Sequence, residues 1–120
     1  MDTVLMKYRG RNEEYLVYDT VKFHDIMKAR TIRAICSRNC GAGAAGIMVG
    51  PIREGGSLTM KVFSPDGEER PLEQEARNAG ISYLLDAGYI HPDGKHQSSA
   101  EAVGKVFLSE KFVKTYMQAV

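Results

Sequence analysis

The spacing of hydrophobic residues along the chain predicts short strands interrupted by two helices. Residues 4–8 and 15–18 are rich in β-branched and aromatic side chains and flank a polar stretch, which predicts a β-hairpin. Between about residues 25 and 38, apolar side chains recur at intervals of three and four positions and predict an amphipathic helix. A further strand is expected at residues 47–49.

The middle of the chain combines a strand with the second helix. Strict alternation over residues 58–63 predicts a strand, and residues 64–67 have the composition of a turn. The helix predicted over about residues 71–87 has a proline in its first turn, and Gly88 suits the left-handed residue that ends it. Gly80 within this helix costs about 1 kcal/mol relative to alanine, so we expect close packing there.

The last third of the chain has a weaker pattern. Residues 98–102 and 105–108 predict a hairpin that pivots near Gly104, whereas residues 110–120 fit either a helix or a strand. Strands outnumber helices and segregate into hairpins. The expected class is therefore α+β, with a mixed or antiparallel sheet.

Composition adds limits to this picture. The 120 residues suit one domain, spanning residues 1–120, and the net charge of +1 gives no indication of direct nucleic-acid binding. There is no apolar run of membrane-spanning length and no cationic leader, so a cytoplasmic protein without membrane contact is expected.

Motifs that often mark chemistry have simpler explanations here. Residues 41–46 match G-x-G-x-x-G, but the predicted order is helix, loop, strand, the reverse of what a dinucleotide site needs. Cys36 lies on the apolar face of the first helix, and with Cys40 it is expected to be a reduced thiol. The histidines are scattered through predicted loops: His24, His91 and His96. We therefore expect no metal and no cofactor.

The sharpest local feature is acidic. Five carboxylates lie within ten residues around the start of the second helix: Asp66, Glu68, Glu69, Glu73 and Glu75. Free N–H groups and the positive end of the helix dipole favour negative charge there by about 0.3–1 kcal/mol each, which accounts for them as helix capping. The same residues also form an acidic surface that could be presented to a basic partner.

Several segments resemble one enzyme family in the same order along the chain. They are residues 15–19, 32–39, 41–46, 60–67, 83–89 and 101–106. The family is the diaminopimelate epimerases, and the resemblance covers essentially the whole chain but only the first half of the family's two-domain enzyme. It implies a half-domain in which a mixed or antiparallel sheet wraps around the central helix at about residues 71–87.

The resemblance also implies that catalysis has been lost. In the family, one thiol from each domain removes and returns a proton without a cofactor, and here Glu73 occupies the thiol position. The family's substrate-binding positions correspond to Asn12, Glu13, Ala45, Ser64, Gln74, Glu75 and Ala76. Among these, Glu75 places a negative charge where backbone amides would receive the substrate carboxylate. No catalytic residue is therefore expected.

Two functional hypotheses follow. The first is a non-catalytic inhibitor or decoy that binds a protein with a basic surface through Glu68, Glu69, Glu73 and Glu75; a phage-encoded inhibitor of host defence, such as an anti-CRISPR protein, is one setting that fits. The alternative is a cofactor-independent amino-acid epimerase or racemase, completed by dimerisation or by a second subunit, with Glu73 as a one-sided base. A half-fold leaves an apolar face uncovered, which also suggests a homodimer.

Overall fold

A computed structural model of the protein describes residues 3–25, 27–39, 44–92 and 100–117. These residues form one six-stranded sheet and three helices. In chain order the elements are β1 (Thr3–Arg9), β2 (Glu14–Asp19), α1 (Ala29–Asn39), β3 (Ala44–Glu54), β4 (Ser57–Phe63), β5 (Glu69–Arg70), α2 (Gln74–Asp86), β6 (Glu101–Leu108) and α3 (Glu110–Tyr116). No helix among these residues has the length and apolar character needed to cross a membrane.

The sheet has the strand order β5-β4-β3-β2-β1-β6 and is mixed. The hairpin predicted at the start of the chain is confirmed as the antiparallel pair β1–β2. β2 then pairs in parallel with β3, and α1 makes the crossover that a parallel connection requires. All other strand pairs are antiparallel.

Each face of the sheet is covered by different helices. On one face, Leu5, Leu16 and Ile47 pack with residues of α1 and α3. On the other face, a second cluster that includes Val17 and Met48 packs against α2. The two clusters make a layered α+β domain, and the predicted class and the position of the central helix are confirmed.

The start of α2 differs from the prediction for a physical reason. β5 pairs with the end of β4, and the chain then makes a tight turn in which the amide of Glu73 donates to the carbonyl of Pro71 at 3.0 Å, so the helix begins at Gln74 rather than near residue 71. The predicted helix end is confirmed, because Gly88 has φ 82 and its amide donates to the carbonyl of Leu85 at 3.1 Å. α1 likewise begins later than predicted, at Ala29.

The hairpin predicted over residues 98–108 is wrong within the described part. Residues 101–108 form the single strand β6, which pairs with β1 from Thr3–Leu108 to Arg9–Glu101. The register shifts opposite Lys7 and Tyr8, where β6 gains one residue between Ala102 and Gly104. Gly104 therefore marks a β-bulge rather than a turn; residues 98–99 lie outside the described residues.

Three smaller differences complete the comparison. β3 begins at Ala44, before the strand expected at residues 47–49, and the two-residue strand β5 was not predicted. The ambiguous stretch after residue 110 is helical. Its N-cap is Ser109, whose hydroxyl accepts a hydrogen bond from the amide of Phe112 at 3.0 Å.

Gly80 is the point where α2 lies closest to the sheet. A Cβ at this position would stand 2.9 Å from Cε of Met48 and 3.1 Å from Cγ of Met60. Both distances are tighter than ordinary carbon contacts, so the absence of a side chain sets how closely the helix packs. The close packing expected from the sequence is confirmed.

A buried carboxylate at the end of β2 holds the C-terminal part of α2. Asp19 is 2% exposed, and its Oδ2 accepts hydrogen bonds from the hydroxyls of Tyr83 and Tyr89, the latter at 2.8 Å. Its Oδ1 accepts from the amides of Val21 at 2.8 Å and Lys22 at 3.1 Å. Burial alone would raise the pKa of Asp19, but these hydrogen bonds outweigh it and lower the pKa below its usual value.

The lowered pKa predicts how stability depends on pH. The stabilisation of the fold by the Asp19 carboxylate should be fully present above the unfolded carboxyl pKa of about 3.9. It should be lost as pH falls through the lower pKa of the folded state. Asp19→Asn should reduce the free energy of unfolding at pH 7 by about 2 kcal/mol and make the acid-induced decline shallower. Urea unfolding at pH 7 and pH 3 measures both effects, with Glu110→Gln as a surface control. A parallel decline in the wild type and Asp19→Asn would contradict this role.

Candidate functional site at the start of helix α2

The candidate site lies where α2 begins, beside the turn that joins β1 to β2. Glu73 is the extended N-cap residue, with φ −78 and ψ 170, and its carbonyl accepts from the amide of Arg77 at 2.8 Å. Its side chain makes no capping hydrogen bond and is exposed. A solvent-facing carboxylate therefore stands where the resemblance puts the family's thiol.

Glu75 in the first turn of α2 points back towards the sheet. Its Oε1 accepts hydrogen bonds from the amides of Asn12 at 2.5 Å and Glu13 at 2.9 Å. These two amides lie in the turn between β1 and β2, more than sixty positions away along the chain. The Glu75 carboxylate therefore joins the start of the central helix to the first hairpin.

A glycine in the turn makes room for this contact. A Cβ added at Gly10 would lie 2.9 Å from Cγ and 3.0 Å from Oε1 of Glu75. The amide of Gly10 donates to the carbonyl of Glu13 at 2.8 Å and keeps the turn tight. Any larger residue at position 10 would have to displace the Glu75 side chain.

The carboxylates around the turn affect a neighbouring phenol. The hydroxyl of Tyr15 donates to Oε2 of Glu13 at 2.7 Å. Burial raises the pKa of Tyr15, and the hydrogen bond to Glu13 and the negative charges of Glu75 and Glu73 raise it further. Tyr15 is therefore held as a neutral hydrogen-bond donor, and it is no candidate base.

Ser64 lies in the turn between β4 and β5, where a guanidinium nitrogen of Arg33 in α1 donates to the carbonyl of Asp66 at 3.4 Å. Its hydroxyl donates to Asp66, and its amide donates to the carbonyl of Glu68 at 2.9 Å. The pKa of Asp66 is lowered, and the hydrogen bond from Ser64 makes the largest contribution to this lowering. Within the residues that the structure describes, no hydrogen bond links this turn to Glu75.

The structure unites only part of the predicted pocket. Asn12, Glu13 and Glu75 are joined directly, and Ala76 is buried beneath them in α2. Ala45 is half-buried in β3, and Gln74 is exposed with its amide nitrogen 2.8 Å from Oδ1 of Asn78. Among the predicted pocket residues, the hydrogen bonds of the described chain therefore join Glu75 only to Asn12 and Glu13.

The acidic residues divide into an exposed set and an internal one. Glu68, Glu69 and Glu73 are exposed, whereas Glu75 is half-buried and directed at the turn. Glu68 approaches Arg70 at 3.3 Å, but both side chains are more than half exposed, and such pairs contribute at most about 1 kcal/mol. We call Glu68, Glu69 and Glu73 the acidic surface.

Other residues with reactive side chains lie away from this site. Cys36 is buried in the core beside α1, as its position on the apolar face predicts. His24 and His91 are exposed, while Cys40, His96 and residues 41–43 lie outside the described residues. In the described ranges, no group of three His, Cys, Asp or Glu side chains could hold a metal ion.

The sequence did not predict the direction of the Glu75 side chain. It placed Glu75 on the outer surface with its acidic neighbours, whereas the carboxylate binds the turn amides. The available indication was Gly10, the residue that leaves space for it. The role of Asp19 was also not predicted. The available indication was a carboxylate at the end of an apolar strand, in a chain with tyrosines at later positions.

Comparison with known proteins gives one consistent result. No protein-family model matches the chain. The chain is 29% identical over 85 residues to diaminopimelate epimerase 2 of Nostoc sp., covering 70% of this chain and 30% of the relative. It is 27% identical over 100 residues to diaminopimelate epimerase of Methanocella arvoryzae, covering 80% and 35%.

A third relative extends the match along the chain. Diaminopimelate epimerase of Caldanaerobacter subterraneus subsp. tengcongensis is 23% identical over 108 residues, which cover 90% of this chain and 38% of the relative. The matched part spans only about a third of the length of each of these curated relatives. Over 70–90% of its length, this chain, with its mixed sheet and central helix, is therefore similar to proteins named diaminopimelate epimerase.

Proposed function

We propose that the protein is a non-catalytic binding protein on a diaminopimelate epimerase-like scaffold, and that it acts as an inhibitor or decoy through protein–protein contact. The observation that supports this most is the Glu75 carboxylate on the amides of Asn12 and Glu13. A carboxylate of the protein itself fills a position beside the helix start, where the family resemblance expects a substrate carboxylate.

Occupation of this position disfavours substrate binding in two ways. A carboxylate approaching the amides at the helix start would meet the negative charge of Glu75, whose Oε1 is held nearby on the amides of Asn12 and Glu13. Glu73 adds another negative charge at the N-cap. The helix start therefore favours a cationic partner over an anionic substrate.

The acidic surface indicates the charge of the proposed partner. Glu68, Glu69 and Glu73 are exposed and flank the start of α2, whose backbone fixes the position of Glu73. Charges of one sign on a rigid element steer a partner of opposite charge and speed association. The proposed partner is a protein with a basic surface, such as a groove that normally binds nucleic acid; an anti-CRISPR protein is one setting for this activity. Glu75 supports this surface by joining the helix start to the β1–β2 turn.

The second candidate function is an amino-acid epimerase completed by a second subunit. It is favoured by the relatives, which are named diaminopimelate epimerases. In this case Glu73 would act as a one-sided base facing a cleft that another chain completes. The exposed position of Glu73 leaves it open to such a subunit.

The role of Glu75 can be tested by stability. Glu75→Ala removes the acceptor of two amides and should lower the free energy of unfolding by about 1 kcal/mol, with faster amide exchange at Asn12 and Glu13. Glu75→Gln keeps a carbonyl oxygen as acceptor and should lower the free energy of unfolding by less. The matched control is Glu73→Ala, next to the same helix start but without a side-chain cap. Equal exchange at both amides in Glu75→Ala and Glu73→Ala would contradict the bridging role.

The acidic surface can be tested by matched charge reversal. The triple variant Glu68→Lys/Glu69→Lys/Glu73→Lys should bind the partner at least about tenfold more weakly. The control Glu54→Lys/Glu101→Lys/Glu110→Lys changes the net charge equally at exposed positions elsewhere and should bind like the wild type. The partner is first captured from native cytosol and identified, and affinities are then measured with the purified partner. Equal weakening by both triple variants would contradict a specific surface.

Proton exchange separates the two functions. The protein is incubated in deuterated water with a panel of L- and D-amino acids that includes diaminopimelate, with and without a co-purified subunit. We expect no deuterium at Cα, because Glu73 and Glu75 place negative charge at the helix start, where a substrate carboxylate would bind. Exchange that is abolished by Glu73→Gln and retained by Glu68→Gln would establish the epimerase instead.

A further inference from the structure

We propose that the outer edge of β4 binds an extended peptide segment of a partner protein, with apolar residues at alternate positions and acidic residues beside them. This site adjoins the acidic surface at Glu69, and it does not depend on the function proposed above. It rests on an unpaired strand edge, a groove beside that edge and the charges around both.

The edge is open over most of its length. On its inner side β4 pairs with β3 from Ser57 to Phe63, with a break where the register shifts. On its outer side, in the described portion of the chain, β5 pairs only with Val62 and Phe63. Residues 57–61 therefore present backbone hydrogen-bonding groups along one side, which is the template that strand addition uses.

The chain itself defines the direction of an added strand. β5 runs antiparallel to β4, with Arg70 opposite Val62, and the next residue is Pro71, which has no N–H to donate. The chain then turns into α2 and leaves the sheet. A peptide that continued the line of β5 would run antiparallel and place successive residues opposite Lys61, Met60, Thr59, Leu58 and Ser57.

A groove follows the same edge. A cavity of about 720 Å³ lies between α2 and the β3–β4 hairpin, and a second of about 290 Å³ adjoins β4 and the end of β5. Thr59, Met60 and Leu72 line both cavities. Two cavities in line along one strand suit a linear occupant better than a compact ligand. The apolar residues of the groove include Met48, Leu58, Met60, Leu72, Ile81 and Leu84.

The charges of the groove favour an acidic peptide. The lining of the two cavities contains four cationic side chains, Arg53, Lys61, Arg70 and Arg77. Against these stand two carboxylates, Glu54 and Glu69, so the lining is positive by two charges with histidine neutral. Lys61 is exposed on β4 itself, directly opposite the first residue of an added strand.

These features define a probe peptide. An acidic residue should stand opposite Lys61, and apolar residues opposite Met60 and Leu58 should enter the groove, since Met60 is buried on the side of α2. A second acidic residue opposite Ser57 would project from the same face of the sheet as the one opposite Lys61, because alternate positions of a strand share a face. The probe is therefore acetyl-Glu-Val-Thr-Val-Glu-amide.

The test is a titration of the full, isotope-labelled chain with this peptide, followed by amide NMR. We expect saturable shifts at residues 57–61 and Ile81, and binding at least about fivefold weaker when both glutamates of the peptide are lysines. Lys61→Glu should invert this preference, and it replaces an exposed side chain, so folding should be kept. N-methylation of one set of alternate peptide nitrogens should abolish binding, and methylation of the other set should not.

Several results would overturn the proposal. They are the absence of saturable shifts, shifts confined to β6 or the acidic surface, equal loss with either methylation pattern, and no change of preference in Lys61→Glu. Concentration-dependent shifts of residues 57–61 without peptide would also overturn it, because the edge would then be occupied by a second copy of the chain.

Discussion

The attachment of α2 to the sheet is the constraint on which the rest of the structure depends. Glu75 ties the first turn of the helix to the β1–β2 turn, Gly80 allows contact with Met48 and Met60, and Asp19 holds the last turn through Tyr83. Tyr8 adds a fourth attachment, because its hydroxyl donates to Oδ2 of Asp86 at 2.6 Å. These contacts come from polar groups at the ends and a close backbone approach in the middle, so the helix is fixed along its axis as well as against the sheet.

This attachment also bears on how freely the residues at the start of α2 can vary. The contacts at the middle and end of α2 determine where the helix starts, and they do not depend on the side chains at positions 73–75. The residues at the helix start can therefore change while the fold persists. Glu75 also stabilises the fold, because its carboxylate supplies the negative charge that the helix start and the two turn amides favour.

Local sequence patterns predicted the parts of this structure that local interactions determine. The β1–β2 hairpin and the end of α2 at Gly88 follow from short-range alternation and one glycine, and both were predicted. The parts that were missed depend on distant partners: β5 exists only through its pairing with β4, and Gly104 lies in a strand because β1 pairs on both sides of the bulge. The candidate residues were identified by position, but the inward path of Glu75 depends on amides from a remote turn, which no local pattern encodes.

The pairing of β1 with β6 has a consequence for how the chain reaches its fold. Thr3 is opposite Leu108, so strands from the two ends of the described chain are neighbours, and β6 can join only after nearly all of it has been synthesised. Until then, the edge of β1 stays open and the core around Leu5 lacks Leu108 and α3. Loop-closure entropy makes such distant pairing slow, so the β1–β6 ladder should form late in folding, after the strands that are closer in sequence have paired.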